Sequence, residues 1–124
     1  MQTKEIAKTE WPAFFDSFSR RHLGWLVNLE ILGPNIGAQV EEHDLPFEGI
    51  TDEWNETEGN TITIMTGGKP EDHVTHTIIH PTEVSLEQTD EGADAALAIK
   101  SADGIMALLR FRSAVLPEMV DAMM

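Results

Sequence analysis

Cysteine is absent from the 124 residues. That excludes a disulfide framework, thiolate catalysis and cysteine-ligated zinc. Basic residues are scarce: 8 Lys and Arg stand against 22 Asp and Glu, a formal net charge of -14. Residues 41–60 carry eight carboxylates and neither Lys nor Arg. Nucleic-acid binding needs a positive surface and anionic membranes attract basic segments, so neither partner is expected. No apolar run approaches the ~20 residues of a membrane helix. The opening MQTKEIAKTEW contains no apolar signal-peptide core. A cytoplasmic setting is the expectation. The acidic excess itself reads as a solvated surface that maintains solubility.

What is present suits one domain of ordinary size, 1–124, able to bury a core without metal or disulfide staples. Residues 1–8 read as a flexible or extended arm. Residues 9–22, TEWPAFFDSFSRRH, form the clearest helix. Thr9 is placed to cap it, and Pro12 is tolerable in its first turn. Trp11, Phe14, Phe15 and Phe18 fall at i, i+3, i+4 and i+7, a stripe that docks a helix on a core. Gly24 is placed to end it.

From 24 to 113 the periodicity becomes two, the mark of antiparallel strands. A turn at Pro34-Asn35 would pair Ile31 with Ala38 and Leu29 with Val40. Residues 45–59 read as a polar connection. The last hairpin keeps its apolar side chains together with a three-residue loop, Ala102-Asp103-Gly104. That register places Leu97 opposite Leu109, Ile99 opposite Ala107 and Ala95 opposite Phe111, with Gly104 left-handed. Residues 116–123 can make a short helix. The fold class is therefore α+β, mostly β. The N-terminal helix packs on an antiparallel small barrel or sandwich of about seven strands, Sm-like or SH3-like, followed by a short C-terminal helix.

Three histidines, His73, His76 and His80, lie within EDHVTHTIIHP. On a helix they would share one face and resemble a zinc site. The surrounding Val74, Thr75, Thr77, Ile78 and Ile79 are β-branched and Pro81 follows, which favours a strand. Strand parity puts His76 and His80 on one face, roughly 13 Å apart at ~3.3 Å per residue, too far for one metal without a third element. His76 and His80 joined by His43 are the candidate metal ligands. Ser19 and His22 are three residues apart on the helix, without a recognisable oxyanion device or orienting acid. Gly67-Gly68-Lys69 lacks the spacing of a phosphate loop. Arg110 and Arg112 share a strand face and are expected to offset carboxylates such as Glu87. No catalytic residue and no cofactor are assigned.

The segments EWPAFFDSFSRRHLGWLVNLEILGPNIGAQVEEHDLPFEGI and LEQTDEGADAALAI…ADG…LLRFRS resemble a family of small uncharacterised bacterial proteins of about this length. The resemblance covers nearly the whole chain. It implies one intact domain in a bacterial cytoplasm, and carries no activity with it. The leading functional reading is a non-enzymatic module that binds another protein or itself, with the methionine-rich tail (Met119, Met123, Met124) as an adaptable surface. The alternatives are a metal- or small-molecule-binding protein, a hydrolase or isomerase, using His76, His80 and His43, or a ligand-binding barrel rimmed by Trp25 and Trp54.

Overall fold

The computed structural model describes residues 2–34, 37–67 and 73–115, with the side chains of 38, 40–43 and 113–115 outside that description. The proposed tail helix at 116–123 also falls outside it. The element order is β1 (Gln2–Ile6), α1 (Trp11–His22), β2 (Leu26–Gly33), β3 (Gly37–Asn55), β4 (Gly59–Thr66), β5 (Val74–Ile79), β6 (Pro81–Gln88), β7 (Asp94–Ser101) and β8 (Met106–Val115). Every strand pairing is antiparallel. The strands form one eight-stranded sheet in the order β1-β6-β7-β8-β2-β3-β4-β5. The sheet does not close, because β1 and β5 are its two margins. The barrel expected from the sequence is thus corrected to an open sheet carrying one helix.

The N-terminal arm is the other correction at this level. Residues 2–6 pair with β6, Gln2 opposite Gln88 and Ile6 opposite Val84. Ile6 is buried, and its carbonyl accepts the indole N–H of Trp11 at 3.0 Å. That bond ties the arm to the start of the helix. Thr9 does not cap α1; it sits in a single 3-10 turn, Lys8–Glu10, and neither that turn nor α1 has a side-chain cap bond. Trp11, Phe15 and Phe18 are buried as the stripe required, and Phe14 packs at their margin. Gly24 ends the helix with φ +86°, and its N–H reaches the Phe47 carbonyl at 2.8 Å.

One core serves the whole sheet. Val27, Leu29, Leu97, Ile99 and Leu109 from one part share it with Phe47, Ile50, Ile62, Ile64 and Ile78 from the other. The long strand β3 runs in both parts. It pairs with β2 over its first half and with β4 over its second, with irregular pairing between Phe47 and Gly49. Residues 45–55, read from the sequence as a connection, are therefore strand. Phe47 and Ile50 are three apart and out of phase for a regular strand, yet both are buried. A bulge shifts side-chain parity by one, which puts both inside and hides the alternation.

The β7–β8 hairpin has the expected register at Leu97–Leu109 and Ile99–Ala107. Gly104 is left-handed at φ +88°, and Ser101 receives its N–H at 3.1 Å. The Ala95–Phe111 pair does not form. Ala96 still faces Arg110 in that register, which shifts beyond this pair so that Asp94 faces Val115. In the β2–β3 hairpin the expected register is off by one. Gly33 closes on Gly37, Leu32 faces Ala38 and Glu30 faces Val40. Gly37 adopts φ +68°, so the hairpin closes on it and the connection has three residues rather than two.

Candidate functional site

The most concentrated buried polar chemistry joins the end of α1 to the start of β7. His22 and Asp94 are each 2 % exposed at the side chain, with His22 Nε2 and Asp94 Oδ2 3.1 Å apart. Arg21 Nη1 reaches the same oxygen at 3.3 Å, and Gln88 Nε2 donates to the other at 2.9 Å. His22 Nδ1 lies 2.8 Å from the Phe18 carbonyl. A carbonyl only accepts, so Nδ1 carries the hydrogen. Nε2 is the ring nitrogen turned toward the carboxylate. The Nε2–Oδ2 contact is not aligned as a hydrogen bond. Phe111 stacks on the ring at 4.6 Å between centroids and Phe18 packs at 4.4 Å. Burial by itself pushes the Asp94 carboxyl up. His22, Gln88 and Arg21 outweigh it and hold the group below its ordinary range.

This cluster was not found from the sequence, because its members are 72 residues apart (22 to 94) and Asp94 lies in what reads as a loop, TDEGAD. His22 and Asp94 are both almost fully buried, so the pair itself offers no open face to a substrate. Its chemistry is that of a lock between helix and sheet. Ser19, three residues before His22, belongs to the same docking. Its Oγ donates to the Ile50 carbonyl at 3.2 Å and accepts the Ile50 N–H at 2.9 Å. Ser19 and His22 therefore serve separate contacts. Ser19→Ala is expected to cost roughly 1–3 kcal/mol by stranding the Ile50 N–H, measured by urea unfolding.

The histidines of EDHVTHTIIHP are distributed as a strand requires. His73 precedes β5, with Nδ1 3.1 Å from both Glu48 oxygens and Nε2 3.0 Å from Thr75 Oγ1. His76 lies within β5, opposite Ile64, and is half-buried. His80 is exposed at the β5–β6 junction in a left-handed conformation, φ 56°, and its ring lies against Gly59. The side chain of His43 is outside the described residues. Among the described residues there is no group of three or more His, Asp or Glu placed to hold a metal ion. Arg110 finds a carboxylate as expected, but it is Glu30 at 2.6 Å rather than Glu87. Trp25 packs on the core near His22, whereas Trp54 is 75 % exposed near the β3–β4 turn. The two tryptophans do not frame a common cavity.

The accessible feature of greatest chemical interest is the outer edge of β5. This strand, VTHTII, is the sheet margin beyond β4. It carries no Lys, Arg, Asp, Glu or Pro. Val74 and Ile79 are 40 % and 46 % exposed, and Thr75 and Thr77 are exposed. His80 donates its N–H to Asn60 O at 3.2 Å. Antiparallel alternation then aims the even-numbered residues of β5 at β4, and the N–H and C=O groups of Thr75, Thr77 and Ile79 at the open side. A groove of about 260 Å³ flanks this edge, lined by His76, Ile78, Ile31, Ile105, Ala107 and Asp103. The opposite margin, β1, carries Lys4 and Glu5, the kind of charged side chain that blunts an edge.

Among the described residues no helix is long and apolar enough to cross a membrane. A solved structure, that of the Bacillus subtilis YojF protein, is similar in fold, with a TM-score of 0.51 and 13 % identity over 90 % of this chain and 96 % of that one. An uncharacterised protein of Aquifex aeolicus (strain VF5) is 31 % identical over 119 residues, which are 95 % of this chain and 100 % of that protein. A family model described as a family of unknown function, DUF5335, matches residues 2–119, and the chain belongs to that family.

Proposed function

We propose that this protein is a non-enzymatic protein-binding domain that accepts an extended segment as an added strand on β5. The observation that carries this reading is the margin itself, β-branched, uncharged and partly apolar, with three residues aiming outward backbone groups that no other described strand pairs. Sheet proteins ordinarily protect such an edge with charge, proline or a covering element. An added strand would pair the outward groups and bury Val74 and Ile79, the geometry of β-augmentation. The groove beside it supplies apolar contacts for alternate side chains of the incoming segment.

A photo-crosslinking residue in place of Thr75 tests the proposal in cells that produce the full chain. A covalent adduct is expected, with either a second copy or another protein, and Thr77→Pro should abolish it. The Thr77 N–H faces away from β4, so proline there blocks the outer ladder and spares the inner one. No adduct, or one that persists in a folded Thr77→Pro variant, would remove the edge as the binding surface.

A further inference from the structure

We infer that the segment received by β5 is a basic one from another protein, with a Lys or Arg side chain seated in the groove against Asp103. The inference rests on the edge reading above and adds the chemistry of the occupant. Directly opposed residues of two paired strands share a face. Those of the incoming strand opposite His76 and Ile78 therefore turn to the side on which the groove lies. Among the described residues lining that groove, Asp103 is the one carboxylate, and none is Lys or Arg. Ser101 Oγ and the Ile105 N–H both donate to Asp103 Oδ1. These bonds fix the carboxylate at the β7–β8 turn and hold its titration below the ordinary aspartate range, so it is ionised at neutral pH. The turn itself is held to the end of β5, with the Ala102 N–H on the His80 carbonyl at 3.0 Å. A lysine or arginine can lay its methylene stem on Ile78 and Ile105 and carry its cation to Asp103. An aspartate or glutamate in the same place would face a like charge.

The wider charge distribution favours the same class of partner. Residues 37–80, which supply β3, β4 and β5, carry ten carboxylates against one basic residue, Lys69. Of the basic residues elsewhere, Arg20, Arg21, Lys100 and Arg110 already sit on carboxylates, those of Asp16, Asp94, Glu83 and Glu30. β5 itself carries no Lys, Arg, Asp or Glu to obstruct a pairing strand. It is a neutral pairing edge set in an acidic stretch of chain. Such a field concentrates and steers a cationic segment and repels an acidic one. It also repels a second copy, since each chain carries -14.

Three short dye-labelled peptides test this against the full chain: valine alternating with lysine, with serine and with glutamate. Fluorescence anisotropy in low salt should rank them lysine, serine, glutamate, with about tenfold or more between the first two. Added salt should shrink that ratio, because screening shortens the reach of the field. Asp103→Asn, which keeps the oxygen that accepts from Ser101 and Ile105, should weaken the lysine peptide about threefold or more and leave the serine peptide unchanged. Thr77→Pro should abolish binding of both. Equal affinities for all three peptides, lost in Thr77→Pro, would overturn the basic occupant and leave the edge reading standing. A Thr75 cross-link to a second copy would do the same. Lysine-peptide binding that survives Thr77→Pro would place the attraction elsewhere on the acidic surface and overturn the inference, with the serine peptide then deciding the edge reading. Wild-type affinity for the lysine peptide in Asp103→Asn would overturn the seat at Asp103. Failure of all three peptides to bind would overturn the inference as well, and the Thr75 adduct would decide the edge reading separately.

Discussion

Phe18→Ala is expected to lower the thermal midpoint by roughly 10–20 °C, read by calorimetry or by circular dichroism at 222 nm. Phe18 has no solvent exposure and stands at the centre of a ring cluster. Phe14 lies 5.6 Å away, Phe47 5.7 Å in an edge-on arrangement, Phe111 5.7 Å and His22 4.4 Å. Its removal leaves a void bounded by α1, β3 and β8, elements the sheet holds too firmly to collapse inward. Buried Phe-to-Ala changes cost about 3–5 kcal/mol, and a domain of this size loses roughly 3–5 °C per kcal/mol. The Phe18 carbonyl that receives His22 Nδ1 belongs to the backbone, so the loss should come from packing alone. Phe18→Leu, which fills most of the space, should recover more than half of it. Equal losses in the two variants would show that ring geometry rather than volume holds the helix down.

Asp94→Ala is the second large loss, expected at about 3–5 kcal/mol near neutral pH in urea unfolding. Removing one partner of a buried charge pair strands the others, here His22, Arg21 and the Gln88 amide. Asp94→Asn, which keeps the shape and the Gln88 contact, should cost less. The dependence on pH has a definite sign. The Asp94 carboxyl titrates lower in the folded protein than in the unfolded chain, because His22, Gln88 and Arg21 outweigh the opposing effect of burial. Its contribution is thus complete above the ordinary aspartate range, about pH 4, and is lost as the pH falls through the lower folded value. The gap between the wild type and Asp94→Asn should narrow steadily as the pH falls below about 4. A gap that widened in acid would mean that Asp94 is destabilised as a carboxylate, contrary to its contacts.

The aromatic helix, the strand character of EDHVTHTIIHP and the β7–β8 register were legible in the residues because each rests on local pattern. Trp11, Phe15 and Phe18 repeat at helical spacing. Val74 to Ile79 are β-branched in five of six positions. Gly104 permits one loop geometry, and Leu97 and Ile99 follow from it. Single-residue offsets were not legible. Phe47 and Ile50 lose their alternation at a bulge, and the β2–β3 hairpin closes on Gly37 rather than at Pro34-Asn35. A bulge or one extra loop residue costs little locally and is decided by the strand on the other side.

By itself, then, the sequence determined an acidic, cysteine-free, mostly β chain led by a docking helix, because charge, composition and periodicity are properties of neighbouring residues. Only the tertiary structure decided that residues 2–6 are a strand, that His22 meets Asp94, and that the sheet stays open with β5 at its margin. Each of those depends on which distant segments lie side by side. A strand's own residues specify two faces, inner and outer, but they do not say whether a neighbour will cover its edge. That edge is where the proposed function lies.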